Sequence, residues 1–155
     1  MSESSPQAYF GLMLHTVVGQ AFGAAGYALE DSPTQQAGGR FRYVRRLENG
    51  LNAFIEFQML HYIEGRPALF KVTLTRTDQP TPAQPSQHPQ YAQRDLSALV
   101  VEDFGVAILP SADHWWQYHT TTELGNALAE AGHLVVGYGM PWLAGELTPP
   151  QAKDA

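Results

Sequence analysis

The sequence predicts an α+β domain, an antiparallel β-sheet meander with an N-terminal and a C-terminal helix packed on one face. Three observations carry that expectation. Residues 6–27 and 122–136 place apolar side chains three and four apart, the period of a half-buried helix. Residues 40–77 alternate apolar and polar in three runs separated by turn signals, the period of a sheet with one core face. The chain has 155 residues, 44% hydrophobic and without cysteine. A chain of that size buries about 68–70% of its unfolded surface, so a core can hold it without disulfides.

The elements follow in order. Pro6 suits a first helical turn, where its missing N–H is no loss, and Ser4 or Ser5 supplies the cap. Phe10, Met13, Leu14, Val17 and Ala21 form the core stripe, and Gly26 is the left-handed stop with Tyr27 folding back. Gly11, His15, Gly19 and Gly23 lie four apart and predict a close approach to the sheet. Residues 30–39 are a turn-rich connection. The first strand, 40–47, leads through Glu48, Asn49 and Gly50, a hairpin signal because Asn-Gly takes positive φ readily. In the second strand, 51–63, Leu51, Ala53, Ile55, Phe57, Met59 and His61 share one face; Asn52, Phe54, Glu56, Gln58, Leu60 and Tyr62 share the other. The third, 68–77, turns Ala68, Phe70, Val72 and Leu74 inward.

Residues 78–94 hold Pro80, Pro82, Pro85 and Pro89, which bar a helix or a central strand. They read as a long, mobile Pro-rich loop within one domain spanning 1–155. Residues 96–109 then carry one or two short strands, with 104–109 the better candidate. Trp115 to Tyr118 is extended, Thr122 and Glu123 start the last helix, and Gly137, Gly139 and Pro141 end it. Residues 148–155 form a frayed tail.

The net charge is −6, unevenly placed. Seven of nine cations lie between Arg40 and Arg76 against three acids, a net of +4; the rest of the chain is −10. No apolar run reaches the ~18 residues a membrane helix needs. The polar, acidic start lacks the basic region of a secretory signal, so no membrane association and a cytoplasmic location are expected.

Several stretches resemble a bacterial family of unknown function, the 4304 family. They are the helix end at Gly26 and Tyr27, Phe41-Arg-Tyr-Val44, Ile55-Glu-Phe-Gln58, Phe70-Lys-Val72 with Leu74, Trp115-Trp116, and Met140-Pro-Trp-Leu143. The resemblance implies an α+β domain and assigns no catalytic residue.

Chemistry-bearing motifs are sparse. There is no nucleophile elbow and no phosphate loop. His114 and His119, five apart beside Asp113 and Glu123, match neither helical nor paired zinc spacing, so no metal or other cofactor is expected. Glu102 and Asp103 are adjacent rather than placed across a cleft, as glycosidase carboxylates must be. What remains is the second face of the meander. Arg42, Arg46, Phe54, Gln58, Leu60, Tyr62 and Lys71 interleave aromatics with cations, as protein contact surfaces do. One helix layer cannot bury both parities of the second strand. The expected function is therefore a protein-binding or interaction domain, its partner another protein or a second copy in a homodimer. The alternative is a small hydrolase-like enzyme using His114 or His119. Weak nucleic-acid binding ranks third, disfavoured by a pI near 5.4, since phosphate neutralisation drives such binding.

Overall fold

The structure, a computed structural model, describes residues 5–61 and 66–150. Helix α1 spans Pro6–Ala24, strand β1 Ala28–Leu29, helix α2 Pro33–Ala37, β2 Arg40–Arg46, β3 Asn52–Leu60 and β4 Ala68–Thr77. Strand β5, Ala92–Asp95, runs into a helical turn α3, Leu96–Ala98, widened to π geometry over Leu99–Asp103. Strand β6, Trp116–Tyr118, precedes helix α4, Thr121–Leu134; a π turn, Val135–Gly139, then joins α5, Met140–Leu143. All strand pairs are antiparallel, in the order β1-β2-β3-β4-β5. Strand β6 pairs with the other end of the same β4 edge that holds β5. The α+β architecture with the terminal helices on one face is as the periodicity predicts.

Register explains the core. The pairs Phe41↔Phe57, Ile55↔Leu74, Phe57↔Val72 and Met59↔Phe70 put the inward parity of three strands on one face. Phe10, Leu14, Val18 and Phe22 of α1 and Leu124, Leu128 and Ala131 of α4 are buried in the same cluster. Phe10 lies with its ring centroid 5.5 Å from Phe41 and 5.4 Å from Phe70. The α1 stripe is thus a strict every-fourth row; Ala21, expected inward, is exposed, while Val18 and Phe22 take its place. The reason is the second helix. Val18 lies against Gly132 of α4, where a Cβ would sit 3.0 Å from Val18 Cγ1.

The predicted small-residue stripe divides. A Cβ on Gly11 would come within 2.6 Å of the Phe41 ring, a true close approach, whereas Gly23 meets nothing and His15 is exposed. The α1 ends behave as read. Ser5 Oγ accepts from the Ala8 amide at 3.0 Å. Gly26 adopts φ +93°, and the Tyr27 amide returns to the Phe22 carbonyl at 2.9 Å, the bond pattern of a left-handed helix stop.

Three expectations are corrected. Residues 96–109 form no strand. Leu96, Leu99 and Val100, fully buried, follow the helical spacing of three and four; a strand would have turned Leu99 and Val100 to opposite faces. Arg94 anchors the turn by donating to both Asp103 oxygens, at 2.9 and 2.8 Å, and to Glu102 at 2.8 Å. The last residues of the Pro-rich loop are strand β5, tolerated because β5 is an edge strand and lies after Pro89. Finally, Gly137 and Gly139 do not end the last helix. The chain continues helically through the π turn, and Gly139 allows a close approach to Leu74, where a Cβ would lie 3.2 Å from Leu74 Cδ1. The stop is Gly145 at φ +77°.

The 78–91 loop makes hydrogen bonds within itself and to β4. Ser86 Oγ donates to Asp78 at 2.7 Å, and Arg76 Nε donates to the Gln90 carbonyl at 2.7 Å. Arg76 Nη1 also donates to the carbonyls of Trp142 and Leu143, at 3.0 and 3.3 Å. One side chain therefore fastens the end of the loop and the C-terminal helical segment to β4.

Tyr27 and Tyr43 bury their hydroxyls with no partner among the described residues. Burial pushes both phenols up to about 12; the nearby Arg45 partly offsets this at Tyr27. The unfolded chain ionises near the ordinary phenol value of 10.0. Their stability contribution is thus complete below that pH and is lost as pH rises through the folded value. A Tyr43→Phe variant removes an unpaired buried hydroxyl, so it is expected to be neutral or stabilising by about 1 kcal/mol in urea unfolding. It should also flatten part of the alkaline loss. A clear destabilisation would mean that the hydroxyl has a partner.

Candidate binding surfaces

The second sheet face is built from register rows. One row runs Arg42, Glu56, Thr73 and Asp95 across β2, β3, β4 and β5. Arg42 Nε donates to Glu30 at 2.6 Å, its Nη2 donates to Gln35 at 3.2 Å, and its Nη1 lies 3.7 Å from Glu56. Thr73 donates to Asp95 at 3.1 Å, and Lys71 Nζ lies 3.7 Å from the other Asp95 oxygen. This polar belt divides the face into two halves with different fates.

On one side of the belt the face is closed. Phe54 stands between Val44 and Thr75 in register, is 1% exposed, and lies under the Arg42 guanidinium, 5.7 Å from the ring centroid. Gln93 donates to Thr75 at 3.0 Å. The start of the Pro-rich loop fastens to the end of this half. Asn52 donates to the Gln79 carbonyl at 3.0 Å, and the Gln79 amide donates to Thr77 Oγ1 at 3.2 Å.

On the other side the face is open. Leu60, Leu69 and Gln117 align across β3, β4 and β6, with Gln58 and Lys71 paired in the row beside them. Lys71 Nζ stands 5.2 Å from the centroid of the Trp115 ring. Leu60, Leu69 and Trp115 are half-buried and floor a shallow trough of about 480 Å³, rimmed by Asp113, His114 and Gln117.

The sequence-derived site residues therefore do not form one surface. Gln58, Leu60 and Lys71 come together in the open half. Arg42 and Phe54, expected to be exposed, are buried at 7% and 1%, because the guanidinium and the ring cover each other and Glu30, Gln35 and Glu56 engage the charge. Arg46 is exposed at the β2–β3 hairpin end, opposite Asn52 and away from Lys71 in register. Tyr62 lies outside the described residues. Leu69 and Gln117 were missed, although Leu69 is an apolar residue on the outward parity of β4. Trp115 was read only as the start of an extended segment.

The two histidines are in separate places. His114 packs edge-on against Trp116 at 4.7 Å, and partial burial holds its imidazole below the usual value, against the pull of Glu130. His119 is exposed, with Glu123 accepting from its backbone amide at 2.6 Å and lying 3.7 Å from Nδ1. Glu123 and Thr120, whose Oγ1 accepts from the Glu123 amide at 3.1 Å, cap α4. His119 lines a different cavity, of about 340 Å³, with Tyr9, His61 and Arg66. Among the described residues, no three His, Asp or Glu side chains gather as a metal site. No helix among them is long and apolar enough to cross a membrane.

Fold and surface together define an α+β domain with an antiparallel sheet whose outer face is half sealed and half open. No family model, curated protein or solved structure matches the chain.

Proposed function

We propose that the chain is a protein-interaction domain whose contact surface is the open half of the second sheet face. The observation that carries this is the Leu60–Leu69–Trp115 trough, a register pair of leucines beside a tryptophan, all three half-exposed, on the same sheet face on which Phe54 is fully buried. Interfaces of this kind have an apolar, aromatic centre and a polar rim. Asp113 lines the trough, and Lys71, 3.7 Å from Asp95, stands beside it at the Trp115 ring. A surface with both signs is complementary to itself under a two-fold rotation, so a second copy of the chain is the favoured partner. The hydrolase-like alternative gains nothing from the placement of His114 and His119 in different cavities. The resemblance to the 4304 family belongs to the same proposal and adds no reaction to it.

Multi-angle light scattering over a concentration series tests the proposal. The parent is expected to shift toward a dimer with rising concentration, and Leu60→Ser with Trp115→Ser to remain monomeric while keeping the parent's circular dichroism. A dimer that survives the double change would place the interface elsewhere. A parent that stays monomeric throughout would overturn self-association, and specific crosslinking from position 117 to a different protein would then replace the second copy.

A further inference from the structure

The cations of the 40–76 segment sort into two groups. Arg40, Arg42, Lys71 and, beyond the segment, Arg94 each have a carboxylate within 4.0 Å. Arg45, Arg46, Arg66 and Arg76 have none among the described residues, and Arg45, Arg46 and Arg76 line one cavity of about 460 Å³ at the hairpin end of the sheet. Register brings two of them together. Arg45 and Arg76 both pair with Ala53, from opposite sides, so they face the same way from strands about 9–10 Å apart with only a methyl between them. The segment after α5, from Leu143 to Glu146, lines the same cavity.

Arg76 is held in place by its bonds to three carbonyls, with the Trp142 ring 5.8 Å below the guanidinium. Those bonds use Nε and Nη1; the two Nη2 donors have no acceptor among the described residues. Arg45 and Arg46 make no side-chain hydrogen bond among the described residues. Guanidinium groups without counter-ions, one of them preorganised, match the oxygen geometry of a phosphate, which accepts paired N–H donors. Carbonyl partners position Arg76 without neutralising it. Leu47, Leu51 and Leu143 give the cavity an apolar wall, and its volume is within the range of small-molecule sites, about 300–1,000 Å³. Glu48 and Glu146 stand on the same lining and disfavour a highly charged ligand.

We propose that this cavity binds a phosphate-bearing small molecule, with Arg45 and Arg46 as the donors without side-chain partners among the described residues and Arg76 as the tethered one. The site is at the opposite end of the sheet from the Leu60 trough and does not depend on it.

Isothermal titration calorimetry of the full chain with phenyl phosphate, at low ionic strength, tests the proposal. Saturable one-site binding is expected. The Arg45→Gln, Arg46→Gln double variant should weaken it by at least about tenfold, equivalent to roughly 1.4 kcal/mol. Glu146→Gln should tighten it, since it removes a like charge from the lining. Should the double variant fail to fold, Arg46→Glu alone, at an exposed and unpartnered position, should still weaken binding. Absence of saturable heat with the parent, or equal affinity in the arginine variants, would overturn the assignment. So would a single-stranded oligonucleotide that binds more tightly than phenyl phosphate with a steeper salt dependence, which would make the cluster a nucleic-acid contact instead.

Discussion

A Val72→Asp chain is expected to lose its folded state at ordinary temperature. Val72 is 1% exposed and lies opposite Phe57 in the middle of the helix-covered face. A carboxyl group placed there has neither water nor a cation, so it folds only by staying protonated, and even the neutral acid leaves polar atoms unpaired. Changes of this kind belong to the small class that costs roughly 4–5 kcal/mol or more. Typical domains have only about 5–15 kcal/mol in total. Far-ultraviolet circular dichroism and a thermal melt would show it. Any residual folding should improve as pH falls, because protonation removes the charge before burial. A variant that melts like the parent would place Val72 at the surface and overturn the register of β3 and β4.

Much of this fold was legible because its dominant signals are local. The alternation in 52–60 and 68–77 assigned the inward parity, and Asn49 with Gly50, both at positive φ, placed the hairpin. The misreadings share a cause. Leu96, Leu99 and Val100 have a helical spacing, but the run is short and rich in β-branched residues, and short apolar runs do not declare their period. Gly137 and Gly139 read as a stop, whereas Gly139 makes room for Leu74 and a Cβ on Gly137 would meet nothing. Charge was the least legible. That Arg42 is spent on Glu30, Gln35 and Glu56, while Arg45 and Arg76 meet across Ala53, depends on which strands pair and in what register. Alternation within one strand does not contain that information.

The division of the second face makes its own prediction. Phe54→Ala is expected to destabilise by about 3–5 kcal/mol, as truncation of a fully buried aromatic does. Leu60→Ala, at the last residue of β3, is expected to cost only about 1 kcal/mol, because its side chain already meets water. Both residues point from the same strand to the same side of the sheet, so neither strand propensity nor face separates them. What differs is cover. Phe54 lies under the Arg42 guanidinium, which is itself held by Glu30, Gln35 and Glu56, so the truncation also strips packing from a buried cation. Urea unfolding of the two variants beside the parent, at protein concentrations low enough to keep the chain monomeric, reads the difference directly. Small, equal losses would mean that the Phe54 half is as open as the Leu60 half, and the contact surface would then extend over the whole face. Large, equal losses would mean that Leu60 is covered within the monomer, which would remove the trough as a surface for any partner. Only the unequal result fits a sheet that buries Phe54 on one half of its outer face and leaves Leu60 open on the other.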